Sequence, residues 1–211
     1  MLAVMNSTES PEKDHMSHRR MRGFTLIEAL IVVSIILLAS AIFFVNMRPA
    51  FQQARLNNAY NSVLATMRRA RETAVAERRV YIVNFIAPRT MTITQAATGT
   101  VTNTFTLPLD VTFDAEPGIP NTAANTPDHF GTGGIAIDFD QGVTLGSKTS
   151  VYFQPDGSGQ DVNNNINNGV LYIARSGDVF SSRAITLWGA TGRIRGWRLY
   201  NVAGVKTWRQ Q

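Results

Sequence analysis

Residues 19–45 read RRMRGFTLIEALIVVSIILLASAIFFV, and this stretch decides the fold. From Phe24 to Val45 the residues are apolar or small, with Glu28 as the one charged side chain and no Pro or Gly. At a rise of about 1.5 Å per residue, this run spans about 33 Å as a helix, enough to cross the hydrocarbon core of a bilayer. Three basic residues precede it: Arg19, Arg20 and Arg22. Arginines at one end of a span keep that end in the cytoplasm, so we predict that the chain after Val45 lies on the other side.

Two common explanations of such a run fit it poorly. A secretory signal peptide has a shorter apolar core, followed by a small-x-small cleavage site. Residues 39–41 (ASA) resemble that site, but residues 42–45 continue the apolar run beyond it. A plain single-span anchor explains the length but not the carboxylate near its start, because intramembrane acids are costly and usually functional.

A third explanation rests on the hexapeptide GFTLIE at residues 23–28. It resembles the prepilin peptidase site of type IV pilins and type II secretion pseudopilins. The resemblance implies that the peptidase cuts after Gly23 and that the new N-terminal Phe24 is N-methylated. It also implies that Glu28 of one subunit faces the Phe24 amine of a neighbour in a filament. Cleavage after Gly23 would place Glu28 in the first turns of a helix, where the helix dipole favours negative charge.

Residues 1–23 would then be a cleaved leader. Residues 1–18 are polar and aperiodic, which predicts disorder. Leaders of this family are usually short and basic, and a start at Met16 yields one, MSHRRMRG. We therefore expect Met16 to be the true start of the protein.

Composition limits what the rest of the chain can be. The 211 residues carry a formal charge of +5 and allow one membrane segment and one soluble domain. There is no Cys. This excludes a disulfide framework, a zinc site built on thiolates and a cysteine nucleophile.

The pattern of residues 46–79 predicts that the helix continues as an amphipathic segment, in which Pro49 permits a kink. Apolar residues recur there at alternating steps of four and three, and this spacing predicts one buried face. The face comprises Leu56, Tyr60, Val63, Met67, Ala70 and Ala74, and Ala59 and Leu64 widen it. Arginines occupy the opposite side: Arg55, Arg68, Arg69, Arg71, Arg78 and Arg79. We interpret them mainly as a solvated face, with polyanion binding as the alternative.

The pattern of residues 80–211 predicts an antiparallel β domain. Short alternating segments favour strands at 80–86, 90–94, 101–106, 109–113, 135–139, 143–145, 150–153, 170–175, 184–188 and 193–200. Turns are predicted at 87–89, 155–159 and 161–169, with a long loop at 116–134. The predicted fold class is α+β and pilin-like, with a long N-terminal helix packed against antiparallel sheets.

No catalytic or metal site is predicted. His129 stands alone in a Gly/Pro-rich loop, and the carboxylates around Asp156 lack the spacing of an EF-hand, so a turn is favoured there. Asp138 and Asp140 lie two apart on a predicted strand, without a His, Cys or GxSxG elbow to accompany them. We expect no enzyme, no cofactor and no metal.

The C-terminal segment is basic. From Arg183 to the end there is no acid, and the bases are Arg183, Arg193, Arg195, Arg198, Lys206 and Arg209. The preceding stretch, 110–161, is acidic, with Lys148 as its one base. Basic groups neutralise phosphates and aromatic faces stack on bases. The candidate nucleic-acid contacts are therefore Arg193, Arg195, Arg198 and Trp197.

Three separated segments carry a second resemblance. Residues 64–76 (LATMRRARETAVA), the FxPxG pattern at 153–157 and residues 185–195 together resemble the GspH/FimT-type minor pseudopilin domain. In some pilus-associated members the C-terminal GRxR motif contacts DNA during uptake, and GRIR at 192–195 matches it. A hairpin that ends in solvated arginines is the plain explanation of the motif. The tail that continues to Gln211 is long enough to cover these arginines.

These resemblances imply an assembly protein. The expected function is that of a minor pilin or pseudopilin subunit that enters or primes a type II secretion pseudopilus or a type IV pilus. Its expected partners are prepilin peptidase, other subunits and the bacterial inner membrane, which it crosses once, with the C-terminal domain in the periplasm. The alternative is a DNA-binding minor pilin that serves DNA uptake in natural transformation.

Overall fold

The computed structural model describes residues 24–120, 135–141 and 149–211. Gly23 with the rest of the predicted leader, His129 and the strand predicted at 143–145 lie outside the described residues. The chain divides into two compact units, 1–46 and 47–211.

The first unit contains the beginning of helix α1, which comprises Leu26–Glu77 and continues through Pro49. Thr25 caps it, because the Glu28 backbone N–H donates to Thr25 Oγ1 at 3.3 Å. The sequence T-x-x-E is the pattern of a capping box, in which the cap and the third helical residue satisfy orphan N–H groups. GFTLIE therefore encodes the start of the helix as well as a processing site.

The polar side chains of this unit return to the helix backbone. Ser34 Oγ donates to the Leu30 carbonyl at 2.8 Å, and Ser40 Oγ donates to the Ile36 carbonyl at 2.7 Å. The apolar side chains point outward and are exposed. Within the described part of the chain, α1 is the one helix that is long and apolar enough to cross a membrane.

In the second unit, residues 47–77 of α1 place one face against the sheets. Leu56, Val63 and Met67 are completely buried, and the other members of the predicted apolar face are buried with them. The two positions that widen the face are covered as well. Ala59 is buried, and Leu64 is partly buried against the core. The amphipathic pattern of this segment is confirmed.

Ten strands follow the helix: Tyr81–Ile86 (β1), Thr90–Gln95 (β2), Thr100–Thr106 (β3), Ile137–Gln141 (β4), Ser150–Phe153 (β5), Gly159–Gln160 (β6), Asn168–Arg175 (β7), Asp178–Trp188 (β8), Arg193–Val202 (β9) and Val205–Gln210 (β10). They form two five-stranded sheets, in the orders β3-β2-β1-β5-β6 and β10-β9-β8-β7-β4. Every described pair is antiparallel. The predicted α+β class is confirmed, as is the turn at 87–89 between β1 and β2.

The main core lies where α1 meets both sheets. Alternate residues of β1, β2, β4, β5, β7 and β8 enter it, together with Ile194 of β9. Phe85 stacks on Phe139 with ring centroids 5.2 Å apart. The second sheet is covered on its other face too, by a smaller cluster that includes Val170, Tyr172 and Ala184. Because both faces are covered, β7 is buried at every position except its two ends, and β8 is buried from Ser181 to Leu187.

The prediction of a strand at 109–113 is wrong. This segment makes a single bridge, between Thr112 and Ala174, and the Asp114 N–H donates to the Tyr172 carbonyl, so it lies beside β7 as irregular chain. Val111 and Phe113 enter the main core, whereas Ala115 joins the smaller cluster. The alternation that suggested a strand arises because alternate side chains are buried in the two clusters, and the segment does not form a strand.

Strands β6 and β10 were not predicted. The β9–β10 hairpin turns at Ala203 and Gly204, which have φ of 51° and 84°. Two successive residues with positive φ are the requirement of the tight hairpin turn whose twist matches that of the strands. This turn folds the C-terminal tail back along β9 as an edge strand.

Candidate functional site

At the amino end of the described chain, Phe24 and Glu28 flank the capping residue. Phe24 precedes the helix and is 80% exposed, and Glu28 lies in the first turn with its side chain exposed. The unpaired N–H groups and the dipole of a helix start favour a carboxylate at that position.

In the second unit, the predicted DNA contacts divide between the two faces of β9. Side chains alternate along a strand, so Arg193, Arg195 and Trp197 share one face, with Arg198 on the other. The core side of β9 is marked by Ile194, which enters the main core. The structure therefore brings together three of the four predicted residues and separates Arg198 from them.

Trp197 is committed to packing. Its Nε1 donates to Thr186 Oγ1 at 2.9 Å, and its ring packs against the smaller cluster on the second sheet. Trp208 of β10 packs against the same cluster, and its Nε1 donates to the Pro120 carbonyl at 3.0 Å. Both indoles close the outer face of the sheet. In this geometry Trp197 is part of the packing of the domain, and its indole N–H is already used within the fold.

The C-terminal tail does not pair with the segment that carries Arg193 and Arg195. In the β9–β10 register Gln210 lies opposite Trp197, and Arg209 lies opposite Arg198. The last backbone bond of the tail runs from the Gln211 N–H to the Gly196 carbonyl. Both arginines are half-buried.

The three segments that resemble a GspH/FimT-type domain meet in space at Arg71. Its Nε donates to the Gly157 carbonyl at 3.0 Å, and its Nη2 donates to the Thr191 carbonyl at 3.0 Å. One turn earlier on the helix, Arg68 Nη2 donates to the Ile194 carbonyl at 3.4 Å. The expectation that all the helix arginines form a solvated face is therefore wrong for Arg71, which ties two loops to α1.

The glycine of GRIR has a packing role in this arrangement. Gly192 has a φ of 61°, in the left-handed region. A Cβ there would overlap the Gly157 carbonyl oxygen and would approach Arg71 Nε to 2.5 Å. Gly192 therefore allows the two loops to approach each other beneath Arg71, and this requirement explains the glycine without any ligand.

A family model described as the prokaryotic N-terminal methylation motif matches residues 18–44. The chain carries this methylation motif. It is typical of type IV pilin and pseudopilin substrates of prepilin peptidase, and it implies processing by that enzyme and assembly with pilins. No curated protein and no solved structure matches the chain.

The methylation motif overlaps the first part of helix α1 in the sequence. The matched range contains the predicted cleavage site, the capping residue Thr25 and Glu28, and it ends within the exposed apolar part of α1. Sequence reasoning identified the processing signal but missed the cap. The signal for the cap was available, because Thr25 and Glu28 have the spacing of a capping box.

The carboxylates of Asp156 and Asp161 accept hydrogen bonds within their own turns. Asp161 Oδ1 accepts hydrogen bonds from the backbone N–H groups of Asn163 and Asn165, at 2.7 and 2.9 Å, and closes its own turn. Asp156 accepts from Ser158 N–H at 2.8 Å, and hydrogen bonds from Ser158 lower the pKa of that carboxyl. Over the ranges that the structure describes, no group of three or more His, Asp or Glu side chains is placed to hold a metal.

Proposed function

We propose that this protein is a minor pilin or pseudopilin of the GspH/FimT type, which enters or primes a type II secretion pseudopilus or a type IV pilus. The observation that carries the proposal is the methylation motif, continuous with an exposed apolar helix and followed by an α+β domain. The function is assembly, not catalysis. The three segments that meet at Arg71 support the subtype, because they form one structural unit.

In this proposal residues 1–23 are a leader that prepilin peptidase removes, and Phe24 is then N-methylated. Residues 24–45 hold the subunit in the bacterial inner membrane. The leader faces the cytoplasm because arginines precede the span, and residues 46–211 face the periplasm. Residues 46–79 complete the helix and residues 80–211 form the β domain. After assembly the subunit belongs to the filament.

Assembly in this proposal uses the charge of Glu28. An ionised carboxylate in a membrane is costly unless it is paired. The amine that cleavage creates on Phe24 of a neighbouring subunit is the proposed partner. Phe24 and Glu28 are both exposed in the single chain.

The test is the mass of the mature N-terminus. In cells with an active prepilin peptidase, the wild-type protein should begin at N-methyl-Phe24, and Gly23→Ala should accumulate with its leader attached. The control is the wild-type protein in cells that lack the peptidase, where the precursor mass is expected. Wild-type protein that retains residues 1–23 in the presence of the active enzyme would contradict the proposal.

A second candidate function is DNA binding during natural transformation. It is favoured by the acid-free C-terminal segment and by the position of Arg193 and Arg195 on one face of β9, beyond the last residue paired with β10. Phosphate contacts position a protein without reading sequence. The double change Arg193→Ala and Arg195→Ala should therefore weaken binding to all sequences alike.

The matched control removes two arginines elsewhere. Arg69 and Arg79 are exposed on or just after α1, so Arg69→Ala with Arg79→Ala changes the net charge equally. The first pair should flatten the plot of log affinity against log salt by about one unit for each lost contact. If the two double variants weaken DNA binding equally, the binding depends on net charge alone, and a site on β9 is refuted.

A further inference from the structure

Three arginines stand in register across three neighbouring strands. Arg183 of β8 lies opposite Arg198 of β9, and Arg198 lies opposite Arg209 of β10. Directly opposite residues share a face of the sheet, with Cβ atoms about 5 Å apart, and like charges at such positions are destabilising. We call these three residues the arginine row. It lies on the α1 side of the sheet, because Arg183 Nη2 donates to Asn57 Oδ1 of the helix at 3.0 Å.

Neutral groups hold the buried end of the row. Arg183 is 1% exposed, and its Nη1 donates to the Ser181 and Ser182 carbonyls at 3.0 Å each. With its amide oxygen turned toward the row, Gln53 accepts from Arg183 Nη2 at 2.7 Å and from Arg198 Nη2 at 3.1 Å. Burial, followed by the charge of Arg198, lowers the pKa of Arg183 to about 10.

The row opens to solvent at its other end. Arg198 is half-buried and Arg209 is exposed, and their guanidinium carbons lie 5.0 and 5.7 Å from the centre of the Tyr200 ring. Arg198 Nε is buried, and no described residue accepts a hydrogen bond from it. Among the ion pairs formed by described residues, none includes a member of the row. The negative charge of Asp178 acts on Arg183 and opposes the lowering of its pKa, but Asp178 forms its ion pair with Arg175, outside the row.

We propose that the solvent end of the arginine row, between Arg198 and Arg209 beside Tyr200, binds a phosphate group. Guanidinium groups bind phosphate oxygens in pairs and remain charged at any physiological pH. An anion with two negative charges would neutralise most of the charge of the row and relieve its internal repulsion. The proposal does not depend on filament assembly.

Inorganic phosphate is the first probe, with the full chain in nonionic detergent. Thermal unfolding is compared in sodium phosphate and in sodium chloride at equal ionic strength. A ligand that binds the folded state at ten times its Kd should raise Tm by about 3 to 6 °C for a domain of this size. Arg209→Gln should abolish most of that shift. This residue is exposed at the edge of the sheet, so the variant should fold.

The matched control is Arg69→Gln. Arg69 is exposed on α1, outside the arginine row and outside the candidate DNA contacts, and the substitution changes the net charge equally. The phosphate shift should persist in this variant. Loss of the shift in both variants, or its persistence in Arg209→Gln, would overturn the site.

A phospholipid headgroup offers the same chemistry as free phosphate. A second arm places the chain in lipid nanodiscs made with zwitterionic or with anionic phospholipid, without phosphate in the buffer. Stabilisation by anionic lipid that Arg209→Gln abolishes would assign the headgroup as the source, and stabilisation by free phosphate alone would assign the free ion. Stabilisation by a single-stranded oligonucleotide, but by neither of these, would overturn the proposal in favour of a nucleic-acid site.

Discussion

The contact between Gly196 and Tyr60 makes a sharp test of the packing between α1 and the second sheet. The Tyr60 side chain is 4% exposed, and its hydroxyl has no hydrogen-bond partner among the described residues. A Cβ on Gly196 would overlap that hydroxyl, and it would lie 2.9 Å from Tyr60 Cζ and 3.2 Å from Leu64 Cδ2. Gly196 does not have a positive φ, so Gly196→Ala tests space without adding backbone strain.

The expected magnitude follows from the distances. Carbon atoms prefer a separation of about 3.5 to 4.0 Å, so the Tyr60 ring would have to withdraw by about 1 Å and its hydroxyl by more. Overpacking of a filled core typically costs about 1 to 3 kcal/mol, and an overlap this large belongs at the upper end. We expect Gly196→Ala to lower the free energy of unfolding by about 3 kcal/mol. That loss corresponds to about 6 to 12 °C in Tm for a domain of this size.

Tyr60→Phe isolates the contact. It removes the atom that a new Cβ would overlap, and it also removes a buried hydroxyl that lacks a partner, so by itself it should stabilise the fold by up to about 1 kcal/mol. In this background Gly196→Ala should cost only about 1 kcal/mol, which gives a coupling energy of about 2 kcal/mol in a double-mutant cycle.

The assay is urea denaturation of the full chain in detergent, followed by tryptophan fluorescence. All three tryptophans lie in β8, β9 and β10, and they therefore report on the second sheet. The reasoning is refuted if Gly196→Ala stays within about 0.5 kcal/mol of the wild type. It is refuted equally if the loss is the same with Tyr60 and with Phe at that position.

Three further predictions concern single residues. Arg71→Ala should cost about 2 to 3 kcal/mol in urea denaturation, because two loop carbonyls lose a charged donor, whereas the control Arg69→Ala should cost under about 0.5 kcal/mol. Burial raises the pKa of Tyr60 to about 12, although nearby arginines oppose the shift. A raised pKa contributes stability that is present below about pH 10 and is lost as pH rises toward 12, so Tyr60→Phe should show a smaller loss of unfolding free energy over that window. Glu28→Val should still insert into the membrane but should fail to enter filaments, measured by recovery in sheared filament fractions; normal incorporation would exclude pairing with the Phe24 amine.

The sequence alone determined those features that depend on neighbours along the chain. The apolar run at 24–45 is a continuous signal that is recognised by its length, whereas the buried face from Leu56 to Ala74 is a periodic signal that burial of apolar surface makes reliable. Most strands were predictable for the same reason. The cap at Thr25 is equally local and was available to sequence reasoning.

Only the tertiary structure decided which distant residues meet. The arginine row joins positions 183, 198 and 209, and its existence depends on the register of two hairpins, which a shift of one residue would destroy. Arg71 reaches Gly157 and Thr191 because the fold brings two loops to one turn of α1. Composition marked the C-terminal segment as basic, but the alternation and pairing of strands placed its arginines on opposite faces of one sheet. These contacts join residues far apart in the chain, so no local pattern encodes them.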